Sequence, residues 1–255
     1  MKRMFIFGLL MYLLQYSFLS AQEEPKDDEI LPPKRSAAPK IGGAAGFTPQ
    51  WLFVDIDPIN QVLNGAQAAP FNDGRLMLSG GQGYGYVLFI PNLRIGGMGA
   101  GGRMTSKSLS GNTRRDVELS VSLSGVTLDY VVPVMPRLDL SFGMLLGKGS
   151  MDLKITRDDG GAKVWDDLWN QFGSLQPAQE YSRKLSGSFF VVQPSVNIEF
   201  SLLRWVGLRA GVSYVDMSGG DWTMDDKYDI YGVPSNISGK GWMINTGIFI
   251  GTFVY

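Results

Sequence analysis

The sequence predicts an all-β chain, and three observations support this class. Beyond residue 41, apolar and polar residues alternate in one stretch after another, which is the period of a β-strand with two unlike faces. Gly occupies 33 of the 255 positions, and Val, Thr, Tyr and Phe are abundant between the glycines. The helical period is confined to two short segments, so strands and turns account for most of the chain.

Eight strands are predicted from this alternation. The clearest is DVELSVSLS, in which Val117, Leu119, Val121 and Leu123 share one face and polar residues share the other. The stretches LDLSFGML, PSVNIEF and GLRAGVSY repeat the pattern. The predicted strands cover about residues 42–54, 76–90, 93–106, 114–131, 137–155, 184–201, 205–217 and 240–255. Most of them exceed the ~9 to 11 residues with which a tilted strand crosses a bilayer.

The connections between the predicted strands alternate strictly between short and long. Short turns are predicted at Pro91-Asn92, Pro133 to Pro136 and Leu202 to Arg204. Long connections cover about residues 55–75, 107–113, 156–183 and 218–239. An even number of antiparallel strands with brief periplasmic turns and longer outer loops is typical of outer-membrane barrels. Residues 41–255 are therefore expected to form one eight-stranded antiparallel up-and-down transmembrane β-barrel with short periplasmic turns and long outer loops.

The N-terminal residues have the order of a bacterial secretory signal peptide. Lys2 and Arg3 precede an apolar run, and the run closes on a small Ser-Ala pair. Residues 1–21 are therefore expected to be removed. Residues 22–40 are rich in Pro and in charges of both signs, which predicts a disordered periplasmic extension. This extension serves either as a flexible spacer or to dock peptidoglycan or a partner protein.

Charge and residue types exclude several functions. Loss of the two cations in residues 1–21 takes the formal charge from −1 to −3, which is too mild to indicate a nucleic-acid partner. The absence of Cys excludes disulfides and thiolate metal sites, and the absence of His removes the usual activator of a serine or a water. We therefore expect no enzyme activity, no cofactor and no metal site. A Ser-Lys pair, or a carboxylate dyad among Asp152, Asp158 and Asp159, is the alternative.

The chain ends in the segment GWMINTGIFIGTFVY, in which Phe253 and Tyr255 are alternate aromatic residues at the terminus. This segment resembles the C-terminal assembly signal of bacterial outer-membrane barrels, in which alternate apolar residues lead to a final aromatic. Taken with the topology, the chain resembles the small eight-stranded outer-membrane β-barrel proteins at the level of architecture. The resemblance implies a Gram-negative outer-membrane location, with outer-membrane lipid and the barrel-assembly machinery as partners.

Aromatic residues lie where such a barrel would meet the two membrane surfaces. Tyr130 and Phe200 end predicted strands beside short turns, and Trp51, Tyr214 and Trp242 lie near the loop end. Residues of this type form interfacial girdles, with ordinary core packing as the alternative.

Charged residues are predicted to point into the barrel near its short-turn end, at Arg94, Asp129, Asp139, Glu199 and Arg209. Symmetric pairing about the turns sets Asp129 opposite Asp139 and Glu199 opposite Arg209. Arg94 is then placed to separate the two facing carboxylates. Because eight strands leave a lumen that side chains fill, we expect a structural charge network. A proton or ion relay is the alternative.

The inner wall of the second and third strands is expected to carry small residues, at Gly81, Gly83, Gly85, Gly96 and Ala100. These residues leave room for long side chains from the opposite wall, a folded-in loop or a small ligand.

Two outer connections carry helical signals. In DPINQVLNG, Asp57 can cap a helix and Gly65 can end it. In VWDDLWNQFG, Val164, Leu168 and Phe172 share one face. Both helices are expected to cover the barrel mouth or pack on its rim, with contact to a partner or to lipid as the alternative.

These features predict an integral outer-membrane barrel with a structural or surface-interaction role and a largely filled lumen. Its loops would meet an extracellular ligand or a surface partner. The alternatives are a carrier or binder of small apolar molecules, and a soluble exported β-barrel.

Overall fold

The structure is a computed structural model that describes residues 42–158, 161, 164–173, 180–234 and 236–253. Within these residues it has ten strands and two helices. The strands are β1 (Gly42–Phe47), β2 (Gln50–Val54), β3 (Arg75–Tyr86), β4 (Leu93–Ser110), β5 (Thr113–Met135), β6 (Leu138–Asp158), β7 (Tyr181–Ser201), β8 (Val206–Met224), β9 (Tyr228–Asp229) and β10 (Gly241–Phe253). The helices are α1 (Asp57–Gly65) and α2 (Trp165–Gly173). The predicted signal peptide, the predicted extension and Tyr255 lie outside the described residues.

The strands pair antiparallel in a ring that closes through β10. Each strand from β3 to β8 pairs with the next one along the chain. β10 pairs with β8 on one side and with β1 and β2 on the other, and β1 and β2 both pair with β3. Because β1 and β2 are two parts of one predicted strand, interrupted at Thr48 and Pro49, the ring has eight positions. The predicted eight-stranded antiparallel barrel is confirmed.

Several strands run well past their predicted ends. β5 has 23 residues, and β6 and β7 have 21 each. The long loop predicted over residues 107–113 is wrong, because β4 continues to Ser110, which pairs with Thr113 across a two-residue turn. Gly111 in this turn has a φ of +60°, which glycine adopts without steric cost. A long hairpin therefore replaces the predicted loop.

The turn predicted at Pro133 to Pro136 lies later in the chain. β5 continues to Met135 with a register shift after Pro133, and the chain reverses at Pro136 and Arg137. A proline has no N–H to donate, so it is tolerated where the ladder is irregular. The register of β5 against β6 therefore differs from the predicted one.

The outward face of the barrel changes from apolar to polar at one height. On β5, outward side chains are apolar from Val126 to Val132 and polar from Glu118 to Ser124. We call the apolar-coated part of the barrel, on the short-turn side, the membrane tier. The polar-coated part beyond it is the outer tier. The last outward residues of the membrane tier are Val126, Leu146, Phe190, Tyr214 and Trp242.

The boundary follows the strand register around the sheet. Outward residues change from Leu146 to Lys148 on β6 and from Phe190 to Ser188 on β7. Lys148 pairs with Phe190 in register, so the two changes occur at the same level. On β6 and β7 the apolar stretches run from Leu138 to Leu146 and from Phe190 to Phe200, which is about the 9 to 11 residues that a tilted membrane strand needs.

Aromatic side chains mark both edges of the membrane tier. Tyr214 and Trp242 are adjacent on the outward face at the loop end, with ring centroids 5.4 Å apart. Trp242 pairs in register with Phe53 on β2, and Trp51 lies two residues before Phe53 on the same strand. Tyr130 and Phe200 are exposed at the short-turn end. These positions match the predicted girdles, since amphipathic rings favour the membrane surface.

The interior has the opposite polarity in the two tiers. Inward residues of the membrane tier are mostly polar or charged, including Gln82, Arg94, Gln193, Asn197 and Asn245. Inward residues of the outer tier form one hydrophobic core, which includes Leu78, Leu119, Val121, Met151, Val191 and Met217. The same strands thus build a lipid-facing barrel below the boundary and a water-facing one above it.

Helix α1 packs into the core of the outer tier. Ile59 and Leu63 on α1 and Phe71 after it are buried there. The hydroxyl of Ser106 on β4 donates to the carbonyl of Ala69 at 2.7 Å, which fixes the same connection to the barrel wall. α1 therefore covers the barrel mouth, as the sequence predicts.

Helix α2 leaves its aromatic face exposed. Trp165, Trp169 and Phe172 are 70%, 58% and 83% exposed, and they contact one another with ring centroids 5.7 and 6.1 Å apart. The prediction that α2 packs on the rim is wrong for these side chains, since the described core of the outer tier includes Ile59 and Leu63 of α1 and none of the three. Of the helices within the described residues, neither is long and apolar enough to cross a membrane.

Candidate functional site

Near the short-turn end of the lumen, a carboxylate is held between two guanidinium groups. Arg94 Nη1 donates to Glu199 Oε2 at 2.6 Å, and Arg209 Nη2 lies 2.9 Å from Glu199 Oε1. Ser141 donates its hydroxyl to Glu199 Oε1 at 3.0 Å. Arg94, Glu199 and Arg209 are 1%, 9% and 6% exposed. A buried carboxylate with two cations and a hydroxyl donor is the arrangement in which a dry interior tolerates charge.

Aromatic rings complete this charge cluster. The Arg94 guanidinium lies over the rings of Tyr84 and Tyr86, at 4.4 and 4.7 Å from their centroids. Arg209 lies over Phe249 at 4.4 Å. Cation–π contacts of this kind stabilise desolvated guanidinium groups. Sequence reasoning missed all three rings, although Tyr84 and Tyr86 continue the alternation of the buried Leu76 and Leu78 on β3.

The predicted small-residue wall on β3 is wrong. Gln82, Tyr84 and Tyr86 point inward there, and Gly81, Gly83 and Gly85 point outward. Tyr86 pairs with Arg94 in register, so the connection between β3 and β4 is centred before the turn predicted at Pro91-Asn92. A shift of one residue turns every side chain of a strand to the other face. On β4, Gly96 and Ala100 do lie on the inner face.

The two remaining carboxylates lie apart from each other. Asp129 is paired in register with Arg94 on one side and with Gly143 on the other, and Asp139 lies opposite Glu199. The predicted facing of Asp129 and Asp139 is therefore wrong, because the chain reverses later than Pro133. The predicted facing of Glu199 and Arg209 is present in the register.

Side chains occupy the lumen of the membrane tier. A cavity of about 30 Å³, which we call the polar chamber, is lined mainly by the polar residues Thr48, Gln50, Gln82, Thr127, Asp129, Gln193, Ser195, Asn197, Arg209, Asn245 and Thr246. A second cavity, of about 10 Å³, lies beside Arg94 and Glu199. Spaces of this size hold one or two solvent-sized particles and do not form a water column.

A larger cavity, which we call the outer pocket, lies in the outer tier. Its volume is about 730 Å³, and its apolar lining includes Phe189, Met217, Trp222, Val233, Pro234 and Ile237. A β-bulge shapes its floor, since Gly219 and Gly220 on β8 together oppose Phe189 between two regular pairs. Gly219 has a φ of +69°, and a side chain at Gly220 would collide with the Phe189 ring. The bulge therefore makes the room that the ring occupies.

The outer pocket lies where the barrel wall opens. Pairing of β8 with β10 ends at Val215 and Gly241, and further out β8 pairs with β9 instead. Lys240 Nζ lies 2.9 Å from Asp216 Oδ1 at the base of this opening. The pocket is thus bordered by an ion pair on the membrane side and by residues 230–234, Ile237 and Ser238 on the outer side.

The acids predicted as an alternative site are dispersed on the outer tier. Asp152 Oδ2 lies 3.8 Å from Lys184 Nζ on the exterior, and Asp158 is paired in register with Arg114. Asp159 lies outside the described residues. Across residues that the structure describes, no group of three or more His, Cys, Asp and Glu is suited to hold a metal ion. Phe253 ends β10.

The closed ring and its two faces define the class of the protein. An antiparallel ring satisfies its backbone hydrogen bonds without a free edge, and an apolar outer band with a polar interior suits a bilayer. A soluble barrel would instead expose this band to water, where continuous apolar surface of such extent is rare. The chain is an eight-stranded β-barrel of the outer-membrane class.

Comparisons with known proteins identify outer-membrane proteins of similar fold. Ail of Yersinia pestis is 11% identical, with a TM-score of 0.41 over 85% of this chain and 99% of that chain. A major outer membrane protein of Thermus thermophilus is 8% identical, with a TM-score of 0.43 over 82% and 98%. OprG of Pseudomonas aeruginosa is 10% identical, with a TM-score of 0.42 over 86% and 99%. No protein-family model matches the chain, and no curated protein matches it.

Proposed function

We propose that this protein is a structural or surface-interaction barrel that acts through its outer tier and not as a channel. The observation that carries this proposal is the filled lumen, in which Arg94, Glu199 and Arg209 bridge opposite walls at membrane height. The absence of histidine and the dispersal of the outer acids support a role other than catalysis. The parts of the barrel available to a partner on the loop side are then its hairpins and α2.

The exposed aromatic face of α2 supports an interaction role. Trp165, Trp169 and Phe172 expose their rings on a connection of the outer side. Large aromatic residues are enriched in protein interfaces, where they contribute more binding energy than other residues of the same area. α2 is therefore the part of the described chain that we expect to contact a surface partner.

The purified barrel is expected to show no stable, large conductance steps in a planar bilayer. Eight strands enclose a lumen that side chains fill, whereas water-filled channels have about 16 strands or more. Single-channel recording tests this, with a sixteen-stranded porin as the positive control in the same bilayer. Reproducible large steps across preparations would contradict the proposal and favour solute passage.

The outer pocket favours a second candidate function, the binding of small apolar molecules. Its volume of about 730 Å³ falls within the range of about 300 to 1,000 Å³ that ligand sites occupy. Phe189 and Trp222 meet edge to face in its wall, with ring centroids 6.0 Å apart. Its lining also includes the polar residues Ser218, Asp221, Asp229, Ser238 and Lys240, and sites for small molecules combine apolar walls with polar groups that orient the ligand.

Indole is expected to shift the methyl resonance of Ile237 saturably in isotope-labelled protein in detergent. Ile237 lines the outer pocket, whereas Ile198 faces lipid and is 54% exposed, so it reports partition into the micelle. Ser238→Trp should remove the saturable shift by filling the pocket, and Ser122→Trp on the outer face of β5 should not. Equal shifts at Ile237 and Ile198 would contradict a specific site.

A further inference from the structure

The polar chamber carries buried oxygen atoms that the barrel leaves unpaired. Five of its side-chain oxygens have no hydrogen-bond partner among the described residues: Thr48 Oγ1, Gln50 Oε1, Thr127 Oγ1, Asp129 Oδ2 and Gln193 Oε1. All five residues are at least nine-tenths buried. Burial of an unpaired oxygen is costly, so a cavity that collects five of them favours a partner that binds oxygen. The Nε of Arg209, which also lines the cavity, is the unpaired donor beside them.

The two amide groups are oriented by neighbours through their nitrogen atoms. Gln193 Nε2 donates to Ser213 Oγ at 2.9 Å, and Gln50 Nε2 donates to Met98 Sδ at 3.1 Å. Each amide nitrogen is thereby used, and each carbonyl oxygen is left for the cavity. Two amide oxygens therefore face the chamber as acceptors, that of Gln50 from β2 and that of Gln193 from β7.

The buried charges of the lumen do not balance. Two guanidinium groups, Arg94 and Arg209, stand against three carboxylates, Asp129, Asp139 and Glu199, and these five are the charged residues buried in the described chain. Glu199 engages both cations. Arg209, which also borders the chamber, is further held by Gln82 Oε1 at 2.6 Å. Asp129 is left with an unpaired oxygen in the chamber and the lumen with one excess negative charge.

We propose that the polar chamber binds one monovalent cation, for which Na⁺ is the probe. Hard cations prefer carboxylate, amide and hydroxyl oxygens, and the five unpaired oxygens provide one carboxylate, two amides and two hydroxyls. Water in the chamber could donate to these oxygens but would leave the excess charge, whereas a single cation offsets it. A cavity of about 30 Å³ has room for such an ion and one water molecule.

Heat resistance of the folded barrel tests the proposal. The purified protein in detergent is heated in NaCl or in choline chloride at equal ionic strength, and the loss of the fast-migrating folded band on gels gives the midpoint. A ligand that binds only the folded state raises the midpoint saturably. We expect this rise with Na⁺ and not with choline in the wild type, and no such rise in Asp129→Asn.

Matched variants separate a cation site from general salt effects. Glu118→Gln removes a carboxylate on the exterior of β5 and leaves the buried charges of the lumen unchanged, so its midpoint should still depend on Na⁺. Thr127→Val removes one hydroxyl oxygen at constant volume and should raise the half-saturating Na⁺ concentration by about tenfold. This variant keeps the test available if Asp129→Asn does not fold.

Crystals soaked in Tl⁺ give the direct observation. An anomalous peak in the chamber of the wild type, absent in Asp129→Asn or reduced in Thr127→Val, is the expected result. A midpoint that does not respond to Na⁺, together with no anomalous peak, would overturn the proposal. The chamber would then hold water, with a proton on Asp129 in place of the cation.

Discussion

Replacement of Glu199 by Gln is expected to destabilise the barrel by about 3 to 5 kcal/mol. Glu199 is the carboxylate that both Arg94 and Arg209 contact, at 2.6 and 2.9 Å. The substitution leaves two guanidinium groups buried beside a neutral amide, and an uncompensated buried charge is among the largest single-residue penalties. Urea unfolding of the barrel in lipid vesicles measures the free energy of unfolding.

The matched control is Glu118→Gln on the outer tier. Glu118 lies on the exterior of β5, 4.0 Å from Arg103, and exposed pairs contribute about 0 to 1 kcal/mol. A double-mutant cycle with Arg209→Met adds a second readout, because the double variant removes a buried cation together with the carboxylate. We expect a coupling free energy above about 1 kcal/mol. Strictly additive effects would mean that Glu199 and Arg209 do not interact.

Strand number and the antiparallel order of the strands were predictable because they depend on local signals. Period-two alternation identifies a strand within a few residues, and Pro-rich or Gly-rich breaks separate one strand from the next. Most predicted strands therefore begin within a few residues of the observed ones. For example, β5 begins at Thr113, and its predicted start is residue 114. Strand ends were less predictable, since polar alternation such as that of residues 107–110 suits both a loop and a solvent-facing strand.

Inward and outward faces were less predictable because they depend on register. The connection after Tyr86 and the reversal at Pro136 each lie a few residues from the predicted turn. Because of the first difference, Tyr84 faces the inner wall where Gly83 was predicted to. Because of the second, Asp129 and Asp139 do not face each other. Turn position fixes register in a hairpin, and local sequence does not distinguish neighbouring turn positions well, for example between Pro133 and Pro136.

The membrane boundary does have a signal in the sequence. On β5, apolar residues occupy the odd positions from Val117 to Leu123 and, apart from Val131, the even positions from Val126 to Val132. Pairing with β6 is regular across Gly125, so the change is not a bulge. A phase change in regular pairing means that the apolar face moves from the inside to the outside. This is expected where a strand passes from water into lipid.

An arginine in place of Leu128 is expected to destabilise the barrel by about 2 to 4 kcal/mol, as for charges near the bilayer midplane. Leu128 faces outward within the apolar stretch of β5 and is 39% exposed. The side chain of the substituted residue must either stay in lipid or reach the membrane surface along the barrel wall. Urea unfolding in lipid vesicles measures the change in the free energy of unfolding.

Ser122→Arg on the same face of the same strand is the control, and it locates the boundary. Ser122 lies beyond Val126 in the outer tier, and its hydroxyl lies 2.9 Å from that of Ser150. The loss of this exposed contact costs little, so the expected change stays within about 0.5 kcal/mol. Because both variants add the same charge to one strand, the difference between them reports the surroundings alone. Similar losses at Leu128 and Ser122 would mean that the apolar-to-polar change on β5 is not the membrane surface.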